Sequence, residues 1–173
     1  VVQAEGTEAD RQLRRGEIDL LVLEADSPSG RSRPQGTRDV AILDEPWLLT
    51  LPPSVPTPST LAELAHQTWL GVDPTAAAYA ATERVLESFE ERPPVSHRYS
   101  SYDSATAMVA GGLGVALLPA LAVRSLPPDL VQVVGVAGTG SRHLVARHRS
   151  SRAGSGREVA TVLEALVRAC QQA

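Results

Sequence analysis

Apolar residues along this chain fall into two alternating patterns: short unbroken runs, and positions spaced three or four apart. The first pattern predicts buried strands and the second predicts amphipathic helices. Residues 1–3 open as an extended run. Residues 8–15 read as a short helix, with Ala9 and Leu13 one turn apart and Gly16 as its stop. Ile18 to Leu23 is nearly continuous in apolar residues, as in a strand covered on both faces. Residues 26–36, rich in Ser, Pro, Gly and Arg, read as a loop, and 40–51 as an extended run broken by Pro46.

The prolines at 52–58 exclude a helix there. Thr60 and Glu63 then form a capping box, and Leu61, Leu64 and Ala65 give the following turn an apolar side. Residues 68–72 read as a strand. Asp73-Pro74 offers a cap and a first-turn proline for a helix reaching about residue 91, with Ala78, Ala81, Val85 and Phe89 on one stripe. Val95, His97 and Tyr99 alternate with polar residues, predicting a strand with one wet face. Ser100-Ser101 can cap a helix that turns Ala105, Met108 and Val109 inward and stops at Gly111-Gly112. Strands are expected at 115–118, 130–136 and 143–147. The last helix has the cleanest period, with Val159, Val162, Leu163, Leu166, Val167 and Cys170 on one face.

Strands and helices therefore alternate, which predicts an α/β fold with mostly parallel sheets flanked by helices. The interrupted extended runs 48–51 and 117–123 read as crossings between two lobes. On that reading residues 1–48 plus 119–173 form a discontinuous first lobe, and 49–118 an inserted second lobe.

Composition narrows the function. With 173 residues, 43% hydrophobic and 21% charged, the chain has the make-up of a globular domain. Only 3% is aromatic, so the core must be built from Ala, Val and Leu. The net charge of −4 lacks the basic field of a free-standing nucleic-acid binder. The arginine clusters at 11, 14 and 15 and at 147, 149 and 152 read as solvated faces. One cysteine, Cys170, rules out a disulfide within these residues and a multi-thiolate metal site. No run approaches the length of a membrane span, and no signal peptide opens the chain, so a cytoplasmic location is expected.

Three stretches together resemble the effector-binding (substrate-binding) domain of LysR-type transcription regulators. The first, Leu13-Arg-Arg-Gly-Glu-Ile-Asp-Leu-Leu-Val22, looks like the family's helix end, glycine turn and Asp-bearing strand. The second, Glu45-Pro-Trp-Leu-Leu-Thr-Leu-Pro52 followed by Leu61-Ala-Glu-Leu-Ala65, is similar to its first crossover and next helix. The third runs from Tyr99-Ser-Ser-Tyr-Asp-Ser104 through Met108-Val-Ala-Gly-Gly-Leu-Gly-Val-Ala-Leu-Leu-Pro119. It is the most specific, with a capped helix, a glycine stop and a strand ending in proline in the family's order. The resemblance implies the two-lobed type 2 periplasmic-binding-protein-like fold. It also implies an N-terminal truncation: the winged helix-turn-helix and the first strand and helix of the sensing domain lie outside this chain. The family's arrangement is a homodimer or homotetramer that touches DNA only through that absent domain.

In such a fold the ligand is expected in the cleft between lobes, at strand C-termini and helix N-termini. Unpaired N–H groups there suit an anion, so a small organic effector, a carboxylate for preference, is the expected partner. The resemblance places a contact at Thr7, after Gly6. Ser100 and Ser101 begin a helix, although capping alone explains one serine. Asp73 can cap, or accept from a ligand hydroxyl or amine. Leu118 and Pro119 lie at the second crossover, where the family touches its effector. Trp47, Leu49 and Thr50 lie at the first.

Catalysis, cofactor and metal have little footing. Gly111-Gly112-Leu113-Gly114 lies at a helix end and so is no dinucleotide fingerprint. Gly154-Ser155-Gly156 lacks the context of a nucleophile elbow. His143 and His148 point to opposite faces of an extended segment, and His66 and His97 have no partner at ligand spacing. The alternative reading is a solute-binding protein of a transporter, which shares the fold. An enzyme on the same fold would need acid or cofactor residues that are not found.

Overall fold

The computed structural model describes residues 6–25, 33–74, 76, 78–127, 129–150 and 156–171. In chain order its elements are α1 (Gly6–Arg15), β1 (Leu20–Ala25), β2 (Thr37–Leu51), a 3-10 turn (Leu61–Leu64), β3 (Trp69–Val72) and α2 (Ala78–Glu87). There follow β4 (Val95–Tyr99), α3 (Tyr102–Ala110), β5 (Ala116–Pro119), α4 (Ala120–Val123), β6 (Gln132–Val134), β7 (Ser141–Arg149) and α5 (Gly156–Gln171). The extended run expected at 1–3 and most of the loop at 26–36 lie outside the described residues.

The chain packs as two units, one of residues 1–44 and 143–173, the other of residues 45–142. The divisions therefore fall at 44/45 and 142/143, whereas the sequence suggests 48/49 and 118/119. Pro119 invites the earlier break, but Leu117 and Leu118 share a buried core with Trp69 and Val109, and Val131 and Val136 join the same core.

In the first unit β1 and β7 pair antiparallel, from Leu20 opposite His148 to Leu23 opposite Val145. Successive side chains go to opposite faces. Leu21, Leu23 and Val145 meet Ala9 and Leu13 of α1. Leu20, Leu144, Ala146 and Ile42 meet Leu163, Val167 and Cys170 of α5. The two-faced burial read from the apolar run is thus present, except at Val22, which is 47% exposed. Gly16 ends α1 as expected. It sits at φ +77°, and the N–H of Gly16 and that of Glu17 return to the carbonyls of Leu13 and Gln12. Arg149 donates to the carbonyls of Leu13 and Ile18 and to Asp19, fixing that turn from β7.

In the second unit β3–α2–β4 is a parallel unit, and Trp69 bridges in parallel to Val115 just before β5. Here the expected parallel arrangement is found, since a helix crosses between successive strands. The pairings of β2 with β5 and with β6 are antiparallel, as is β1 with β7. Helix α2 begins later and ends earlier than its apolar stripe suggests. Asp73 takes the N–H of Ala76 in a turn, and the N–H and hydroxyl of Ser88 both close on the Val85 carbonyl. Strand β2 runs unbroken through Pro46; the next N–H, that of Trp47, still reaches the Gly140 carbonyl at 3.0 Å.

Strand β4 also departs from plain alternation. Leu70 pairs with Ser96 and Gly71 with Arg98, so His97 bulges between them at φ +58°. Val95 and His97 face solvent, while Tyr99 enters the core. Close approach explains the glycine opposite. A Cβ on Gly71 would stand 3.0 Å from the His97 carbonyl oxygen.

Candidate ligand site in the second unit

The C-terminal ends of β3 and β4 lie side by side, with Val72 paired to Tyr99. That register places Asp73 and Ser100 next to one another just past the strand ends. The N–H of Asp73 donates to the Tyr99 carbonyl at 3.1 Å, locking the two ends together. Ser101 follows as the cap of α3. Its hydroxyl accepts the Ser104 N–H at 3.3 Å and lies 3.0 Å from the Ser104 hydroxyl. Ser100 and Ser101 are exposed and Asp73 is half-buried. Arg98 lies across Gly71 and donates to the Val72 carbonyl at 2.9 Å, which brings a cation to the same end of the sheet.

The remaining expected contacts sit on β5, β2 and α1. Leu118 pairs with Leu48 and Pro119 with Trp47, and both Leu118 and Pro119 are buried; Pro119 caps the short helix α4. Thr50 lies three residues further along β2, about 10 Å at strand rise. It is fully buried, and its hydroxyl has no hydrogen-bond partner among the described residues. Thr7 belongs to α1 in the first unit; its side chain lies outside the described residues. A groove of about 610 Å³ lies between α4 and β6, walled by Leu48, Val123, Leu126, Val131 and Val134, and none of the expected contacts lines it.

Burial around Tyr99 is deep enough to matter chemically. Its hydroxyl donates to the Leu117 carbonyl at 3.3 Å, and removal from water raises its pKa well above the ordinary 10, with the Thr82 hydroxyl pulling the other way. It is a neutral strut between β4 and β5.

An ion pair between Glu45 and Arg142 was not expected from local pattern. Both side chains are 5% exposed, and Arg142 Nε meets Glu45 Oε1 at 2.5 Å. Glu45 Oε2 accepts the Leu121 N–H in α4, and Arg142 donates to the Tyr102 hydroxyl at 3.3 Å. The guanidinium lies 5.9 Å from the Trp47 ring centre and 5.6 Å from that of Tyr102. The partners are 97 residues apart. Both strands carry several other charges, so neither residue stands out in its own segment.

Among the described residues no group of His, Cys, Asp or Glu is placed to hold a metal ion. No helix among them is long and apolar enough to cross a membrane.

No curated protein matches the chain. Solved structures do match in fold. The reduced OxyR regulatory domain from Pseudomonas aeruginosa superposes with a TM-score of 0.75 at 22% identity, over 96% of this chain and 80% of that one. The CcmR regulatory domain of Synechocystis in complex with 2-PG gives 0.74 at 13% identity, with the same coverages of 96% and 80%. The bromide-bound regulatory domain of HypT from Salmonella typhimurium gives 0.74 at 18%, again over 96% and 80%. The sequence also fits the family profile described as LysR substrate binding domain over residues 1–171. With an α/β fold and nearly the whole length accounted for, this chain belongs to the LysR substrate binding domain family.

Proposed function

We propose that this chain is the effector-sensing module of a LysR-type transcription regulator, and that its ligand is a small organic molecule or anion rather than a macromolecule. The carrying observation is the side-by-side ending of β3 and β4, which sets Asp73, Ser100 and the capped start of α3 together. Such strand ends, followed by helix N-termini, are where α/β proteins take small ligands. The N–H groups there favour a carboxylate or another anion, and Arg98 adds a cation to the same end. Asp73 supplies an acceptor for a ligand hydroxyl or amine. Pro119 contributes apolar backbone contact on this reading. Thr50 and Leu118 act from the core, shaping the strands rather than touching the guest.

The module acts by binding rather than by chemistry, in a cytoplasmic homo-oligomer that reaches DNA through a separate domain. A ligand biases such an assembly only as far as it prefers one conformation over another. The single cysteine, half-buried on α5, makes a disulfide within these residues impossible, so sensing by contact is favoured over a dithiol switch.

The test is a thermal-shift panel of mono- and dicarboxylates, with 2-PG and bromide included because the similar domains are described with them. At least one compound should raise the Tm, and Ser100→Asp, which adds a like charge at the site, should abolish the shift. A flat panel for the whole regulator, or a shift untouched by Ser100→Asp, refutes the assignment.

A further inference from the structure

We propose that Glu45 and Arg142 are positioning residues for the ligand end of the second unit. The inference rests on the reading above. Their buried ion pair is a junction that sets where α3 and α4 begin.

Three observations meet at this pair. Glu45 divides its carboxylate between Arg142 and the Leu121 N–H, so one oxygen holds the strand β7 and the other holds the first turn of α4. Arg142 divides its guanidinium between Glu45 and the Tyr102 hydroxyl. Tyr102 is the first residue of α3, directly after the cap Ser101, and its ring packs under the same guanidinium. Trp47, the strand partner of Pro119, packs there too. The backbone at Ser100–Tyr102 and at Pro119–Leu121 is thereby tied to one buried charge pair.

An ion pair this deep is a costly way to fill a core. Desolvation of two charges offsets much of their attraction, and apolar residues of similar size often serve stability as well or better. What apolar residues cannot do is hold an N–H and a phenol in fixed directions, because packing alone has no hydrogen-bond geometry. Stability and positioning are therefore separable here, and that separation is what the experiment reads.

Two variants of the regulator are compared with the wild type by amide hydrogen exchange. Glu45→Met combined with Arg142→Leu replaces the pair with apolar side chains. Arg142→Lys keeps the charge on Glu45 but cannot also reach and cover Tyr102. The double variant should exchange at least tenfold faster at residues 102–105 and 120–123, with β3 and β4 unchanged. Arg142→Lys should leave 120–123 protected and open 102–105 only. A merely structural pair would loosen β3 and β4 along with both helices.

Titration with 2-PG and with bromide supplies the second arm, followed by tryptophan fluorescence because Trp47 lies against Arg142. A probe that binds the wild type should bind both variants at least tenfold more weakly. Wild-type exchange rates at 102–105 and 120–123 in the double variant overturn the proposal, as does a probe that binds all three proteins equally. If neither probe binds the wild type, the effector reading loses these two ligands, while the exchange pattern still decides the positioning role.

Discussion

Arg147 holds Asp39 with a two-pronged grip, Nε to one carboxylate oxygen at 2.8 Å and NH2 to the other at 2.9 Å. The arginine is 1% exposed, and its remaining nitrogen donates to Asp10 of α1 at 3.0 Å. This is the main electrostatic fixture of the first unit, joining α1, β2 and β7.

Asp39→Asn should be strongly destabilising, because it leaves Arg147 buried with Asp10 as its remaining carboxylate. Breaking a buried pair in this way costs about 3 kcal/mol. The Arg147 hydrogen bond holds the Asp39 carboxyl below its usual value of 3.8. A depressed carboxylate adds stability that is complete above the unfolded value and fades as pH falls through the folded one. The gap between wild type and Asp39→Asn in urea melts should thus be constant near pH 6 and shrink below pH 3.8. A gap that persists unchanged into strong acid contradicts this account.

Thr50→Val should stabilise the protein. The Thr50 hydroxyl is buried without a partner among the described residues, and valine has the same shape without the polar atom. Relief of an unsatisfied buried group is worth about 1 kcal/mol. Chemical denaturation measures it. Destabilisation instead would mean that the hydroxyl meets a water or a ligand.

Tyr99→Phe should cost about 1 kcal/mol by removing the hydrogen bond to the Leu117 carbonyl in the core. Its phenol is held neutral by burial, above the ordinary value of 10, so this part of the stability is complete below pH 10 and lost only as the pH climbs through the higher folded value. Ultraviolet titration of native protein should show no phenolate lost on making Tyr99→Phe until the fold itself gives way.

Gly114→Ala should destabilise by about 2 kcal/mol, in the range of overpacking penalties. The added methyl would stand 2.7 Å from the Thr68 carbonyl oxygen, which is backbone and already accepts the Val115 N–H at 2.8 Å. A thermal melt matching the wild type would show that the β3 end can shift aside.

Local signals were readable in the sequence because each depends on neighbours a few residues away. Gly16 stops α1, Thr60 and Glu63 satisfy one another, and Ser101 caps α3, all within a turn of chain. The parallel β3–α2–β4 unit follows from its alternation. Long-range charge pairs were not readable. Asp39 and Arg147 are 108 residues apart, and each looks like a strand's solvent face until the other is placed on it. The unit divisions at 44/45 and 142/143 leave little local mark for a related reason. Pro119 carries a visible break, while the boundary at 44/45 carries none, since β2 passes through it as continuous strand. Of the candidate site, Asp73, Ser100 and Ser101 could be found from helix-start chemistry. The Glu45–Arg142 junction beneath Tyr102 could not, because nothing nearby in sequence names its partner.

The looped-out His97 sets the parity of β4. Counting through it, the strand offers Ser96 and Tyr99 to the side shared with Leu70 and Val72, and Val95 and Arg98 to the other. Were all five residues zipped regularly, the guanidinium would be driven among hydrocarbon and the phenol left in water. It follows that β4, unlike an ordinary strand, can give up one residue without exchanging its inside for its outside: excising His97 removes a strained backbone position and leaves every neighbour in phase.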